Sequence, residues 1–75
     1  MDTIKFIKVD ESGAETVHVC QMRSVGGALA LYRIVNGVES ATPLDTSGMD
    51  PVARANVLAW AVKNGIVAAG ATMFA

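Results

Sequence analysis

Asn36-Gly37 constrains this chain more than any other dipeptide in it. A type I′ turn needs φ > 0 at both central positions, and Asn and Gly reach that region at least cost. The pair therefore predicts a two-residue loop after the apolar run Ala28–Val35 (ALALYRIV), which reads as a central strand. In such a loop Val35 pairs with Val38, which sets Ile34 opposite Glu39, Arg33 opposite Ser40 and Tyr32 opposite Ala41. Tyr32, Ile34 and Ala41 then share one face, and Leu29, Leu31 and Val35 the other. Both faces are apolar, and a single helix can cover only one of them.

The neighbouring segments supply the rest of a small sheet. Thr3 to Val9 alternates Ile4, Phe6 and Lys8 with Lys5, Ile7 and Val9, and its β-branched and aromatic content favours a strand. Asp10 to Ala14 (DESGA) is a turn, and Glu15 to Met22 returns as a second strand. There Val17, Val19 and Gln21 lie on one face and Thr16, His18, Cys20 and Met22 on the other. Arg23 to Gly27 (RSVGG) reads as flexible punctuation. Pro43 closes the fourth strand.

Asp50-Pro51 announces a helix, an N-cap followed by a proline at the first helical position. It should run to about Asn64, with Gly65 as the left-handed stop and Lys63 suiting the dipole. At 100° per residue Val52, Ala55, Leu58, Ala59 and Val62 form a stripe suited to the sheet, and Ala53, Val57 and Trp60 a patch on the opposite side. Residues 66–75 (IVAAGATMFA) carry no charge and are expected as a final strand, with a short helix broken at Gly70 as the alternative. The expected architecture is α+β. It comprises two antiparallel hairpins, four strands with an optional fifth at the C-terminus, packed on one helix as a single compact domain over residues 1–75.

Composition narrows the function classes. Six Lys/Arg against seven Asp/Glu leave a net charge of -1, which argues against nucleic-acid binding. One cysteine cannot form an internal disulfide, and with one histidine it cannot complete a zinc site. The hydrophobic fraction is 52% while charged residues are only 17%, against roughly 25% in ordinary domains. So apolar a chain of this size holds more Ile, Val, Leu, Met and Ala than its core can hide, and a homodimer is expected. Asp2, Lys5 and Lys8 interrupt any signal-like stretch, and the apolar run 65–75 is about half the length needed to span a bilayer. A cytoplasmic protein with no membrane partner is expected.

Chemistry-bearing constellations are sparse. His18 and Cys20 sit two apart on one strand face, the arrangement that activates thiol nucleophiles, but no third orienting group or oxyanion loop accompanies them. They are expected to pack. Neither Asp10, Glu11 and Glu15 nor Asp45 and Asp50 match calcium-loop spacing, so both groups read as solvated turns, the first of them able to meet a basic partner. Gly26-Gly27 precedes a strand rather than a helix and lacks the geometry of a phosphate loop. No cofactor, metal or catalytic residue is expected.

Trp60 is either buried beneath residues 66–75 or an interface anchor, and the second is favoured because a segment returning to the sheet would point away from it. With Val57 and Ala53 beside it, and Tyr32 and Arg33 marking the two faces of the central strand, these five residues form the expected partner-binding set. In character the chain resembles the small enzyme-less proteins that phages and other mobile elements use to occupy a host protein's surface. A non-enzymatic binding module or inhibitor is the leading expectation. A self-assembling structural subunit comes second, and an enzyme built on Cys20 and His18 last.

Overall fold

The computed structural model describes residues 2–74. Its chain order is β1 (Thr3–Val9), β2 (Glu15–Val25), β3 (Ala28–Val35), β4 (Val38–Glu39) and α1 (Pro51–Lys63). The strands form one antiparallel sheet in the order β1-β2-β3-β4, so the fold is α+β with a meander on one side and a helix on the other. The first turn is closed by Asp10, whose Oδ1 accepts hydrogen bonds from Ser12 N at 2.9 Å, Ser12 Oγ at 2.7 Å and Ala14 N at 3.0 Å. Register follows directly: Ile7 faces Val17, Phe6 faces His18 and Ile4 faces Cys20.

The turn at Asn36-Gly37 has both residues at positive φ, 52° and 77°, and pairs Val35 with Val38 and Ile34 with Glu39 as expected. Beyond that, β4 is shorter than expected. Ser40 N still donates to Arg33 O at 2.8 Å, but Ser40 Oγ then turns to Thr42 O and the chain leaves the ladder before Ala41 meets Tyr32.

The segment 23–27 is a correction. Arg23, Ser24 and Val25 extend β2 and pair with Ala30, Leu29 and Ala28, and only Gly26 and Gly27 turn, at φ 57° and 84°. Two adjacent glycines at positive φ make a second two-residue hairpin loop, which joins the outer pairs into a continuous meander.

The helix begins as expected. Asp50 Oδ2 accepts from Val52 N and Ala53 N, each at 3.1 Å, and Pro51 occupies the first turn, where a missing N–H costs nothing. Asn64 caps the other end, with Gly65 following at φ 74°. The helix is, however, rotated from the expected orientation. Val57 and Ala61 are buried and Leu58 and Val62 partly so, whereas Val52, Ala55 and Ala59 face outward. Apolar residues lie on opposite sides of this helix, so its pattern names no inward side. Ala61, with no exposed surface, lets the helix approach the sheet closely, and the bulky Trp60 beside it is turned away.

Residues 66–74 do not form the expected strand, and Ala75 lies outside the described residues. Their contribution to the sheet is one parallel bridge between Leu29 and Met73, with Leu29 N donating to Thr72 O and Phe74 N to Leu29 O. Gly65 and Gly70, both at positive φ, break the segment into turns. With Leu44 N donating to Leu31 O, these contacts occupy the β3 edge that β4 leaves free. The core forms where one sheet face (Cys20, Met22, Leu29 and Leu31) meets Val57 and Ala61 of α1 and Val67 of the last segment.

Candidate functional site

Strand alternation decides what the helix covers. Opposed residues of an antiparallel pair point to the same side, so Ile4, Phe6, His18, Cys20, Met22, Leu29, Leu31 and Arg33 share the helix-facing side. The other side carries Lys5, Ile7, Val9, Glu15, Val17, Val19, Tyr32 and Ile34, and no element of the described chain packs on it. Ile7, Val9 and Val17 there are 60%, 58% and 52% exposed. At its β4 end an ion pair crosses β3, Arg23 of β2 reaching Glu39 of β4. Ala30, directly opposite Arg23, is buried.

A second apolar surface lies on the far side of the molecule. The outward face of α1 presents Val52, Ala55, Asn56, Ala59 and Trp60, with no charge before Lys63. Trp60 is 43% exposed. Lys63 Nζ lies 5.6 Å from the centre of its ring, and Asn64 Nδ2 donates to the Trp60 carbonyl at 2.8 Å. A cation held over an indole face orients the ring while leaving its edge open.

The five residues expected to bind a partner do not form one surface. Trp60 is on the outer helix face and Tyr32 half-buried on the open sheet face. Arg33 is half-buried on the helix-facing side, beside Cys20 in register. Val57, at 4% exposure, is a core residue and cannot reach a partner, and Ala53 is half-buried at the rim of a groove beside β1. Sequence reasoning missed Val52, Ala55 and Ala59, because it turned them inward, and did not single out Ile7 and Val17. The alternation of β1 and β2 was the available signal for the latter pair.

His18 and Cys20 both lie inside. His18 is 6% exposed, its ring stacks on Phe6 with centroids 5.4 Å apart, and its Nδ1 is buried without a hydrogen-bond partner. Burial lowers its pKa, assisted by the nearby positive charges of Arg33 and Lys8. Burial also raises the pKa of the Cys20 thiol, only partly opposed by Arg33, which keeps it in the weakly nucleophilic protonated form. Among the described residues no group of three or more His, Cys, Asp or Glu could hold a metal ion.

A cleft of about 550 Å³ lies between the 43–47 loop and the last segment. Asp45 Oδ1 accepts from Ser47 N at 3.0 Å and Arg54 Nη2 donates to Met49 O at 3.0 Å, whereas Arg54 Nε is buried without a hydrogen-bond partner. No helix among the described residues is long and apolar enough to cross a membrane.

The fold and its two uncovered apolar surfaces define a small α+β protein of one antiparallel meander and one helix. The chain matches no family model, no curated protein and no solved structure.

Proposed function

We propose that this chain is a small non-enzymatic binding module that acts by covering the surface of a protein partner, with the outward face of α1 as its contact. One observation carries the reading: α1 buries one side in the core and still presents Val52, Ala55, Ala59 and Trp60 on the other. The outward side includes Asn56 but carries no charge before Lys63, whereas a solvated helix face normally carries charge. Trp60, toward the C-terminal end of that outward side, suits an anchor, since Trp is among the residues most enriched where binding energy concentrates. The buried, protonated Cys20 and the enclosed His18 support a reading without chemistry of its own.

Capture from the source cell with the immobilised chain tests this. A specific protein is expected on the wild-type chain and lost on Trp60→Ala, since truncating an interface Trp commonly costs more than about 2 kcal/mol of binding. Val17→Glu, on the opposite side of the molecule, is the control that keeps the partner. Equal capture by Trp60→Ala, or capture abolished only by Val17→Glu, sinks the assignment to α1.

A further inference from the structure

We propose that the open face of the sheet seats a second copy of this chain, joined sheet to sheet about a two-fold axis that passes over the Ile7–Val17 pair. The proposal does not rest on the helix-borne contact, which lies on the other side of the molecule.

The first support is the surface that the chain leaves uncovered. A monomer of 7.8 kDa exposes about 4,400 Å² by the usual scaling of area with mass. This chain exposes 4929 Å². The excess of roughly 500 Å² is about that of one sheet face, since four strands about 4.8 Å apart and averaging seven residues in length cover roughly 19 by 23 Å. Two such faces together remove on the order of 1,000 Å², which is the size at which specific interfaces begin. The area fits a closed pair of small chains.

The second support is the distribution of side chains. Ile7, Val9, Val17, Val19, Tyr32 and Ile34 fill the face, and the charges lie around them. Arg23 and Glu39 already neutralise one another. That leaves Lys5 and Glu15 on this face. Lys5 is two residues from Ile7 along β1, and Glu15 is two residues from Val17 along β2 in the opposite direction, because Ile7 faces Val17 and Val9 faces Glu15. The two charges are thus diagonal about the Ile7–Val17 pair.

A two-fold interface must be complementary to itself, so residue i meets residue j while j meets i. A two-fold axis lying between the sheets, crossing the strands over that pair and tilted by roughly 20° so that it bisects the Lys5–Glu15 diagonal at right angles, carries Lys5 of each copy onto Glu15 of the other. The remaining charges of the face are then matched and its apolar centre is shared. The resulting particle is a sandwich of two sheets with a helix outside each, which leaves Trp60 displayed twice, on its two outer surfaces.

Light scattering after size exclusion, across micromolar protein concentrations, reads the outcome. The wild-type chain is expected at twice 7.8 kDa. Val17→Glu is expected to give the monomer mass with an unchanged far-ultraviolet spectrum, since Val17 is exposed in the single chain. Lys5→Glu should weaken the pair by about tenfold or more through like-charge contact with Glu15, and Lys5→Glu with Glu15→Lys should restore it. If Val17→Glu does not fold, the charge swap decides alone, because both of its positions are exposed. A wild-type monomer, an open-ended assembly, or a dimer that tolerates both Val17→Glu and Lys5→Glu overturns the proposal. Trp60→Ala should leave the dimer intact, so failure here is separable from failure of the helix contact.

Discussion

Arg23 and Glu39 close a two-point ion pair over β3, the strand that separates theirs, with Nε to Oε2 and Nη2 to Oε1 both at 2.9 Å. The pair explains two departures from local expectation together. It needs β2 to continue as far as Arg23, which a flexible 23–27 segment would not allow, and it ties down a β4 of only two residues. Bidentate geometry makes it directional, although its exposure to solvent weakens it.

Removing that tie should loosen β4 and little else. In Arg23→Met the amide of Ser40, which donates to Arg33 O, should exchange with solvent faster than in the wild type, while amides of the β1–β2 ladder keep their protection. Hydrogen exchange followed by nuclear magnetic resonance reads both. Unchanged exchange at Ser40 would show that the Asn36-Gly37 turn holds β4 without help.

Stability should fall on mild acidification because of His18. Its pKa in the fold is held below the usual value of about 6.5, so the unfolded chain takes up the proton first. The stabilising contribution is complete above about pH 6.5 and is lost as pH falls below it. Asp10, Glu39 and Asp45 have lowered pKa values, through their hydrogen bonds to Ser12, Arg23 and Ser47 respectively, and act in a separate window near pH 4 and below. Urea midpoints between pH 5 and 8 should therefore decline toward the acid end in the wild type and stay flat in His18→Phe. A wild type with no slope there would place a compensating acceptor at Nδ1.

The orientation of α1 can be read from two valines five residues apart. Val57 is in the core, and Val57→Ala should cost roughly 1–3 kcal/mol of stability. Val52 faces outward, and Val52→Ala should change stability by no more than about 0.5 kcal/mol. Denaturant titration compares them. The reverse order would restore the orientation in which Val52 packs on the sheet.

Gly37 lies at φ 77°, where a β-branched side chain is strained. Gly37→Val should destabilise the fold by about 1–3 kcal/mol, a loss of several degrees or more in melting temperature for a chain of this size. An unchanged melt would mean that the β3–β4 turn adds nothing to the cooperative unit.

Features decided by a residue and its immediate neighbours were legible without coordinates. Asn36-Gly37 set its turn and two rungs of register, Asp50-Pro51 and Gly65 set the ends of α1, and alternation set which residues of β1 to β3 share a face. Each rests on backbone sterics or a local hydrogen bond, so it survives in any tertiary context. The candidate contacts were legible only in part. Trp60 was expected at a surface, but Val57 and Ala53 were grouped with it. Val, Ala, Leu and Trp on opposite sides of one helix give neither side a clear advantage until the fit of Ala61 and Val57 to Cys20, Met22, Leu29 and Leu31 is known. Where β4 stops, how Leu29 finds Met73 forty-four residues later, and which side of the sheet stays open are likewise tertiary decisions. They depend on segments distant in sequence competing for the same edge or face, and the winner is set by packing and unfilled hydrogen bonds rather than by propensity.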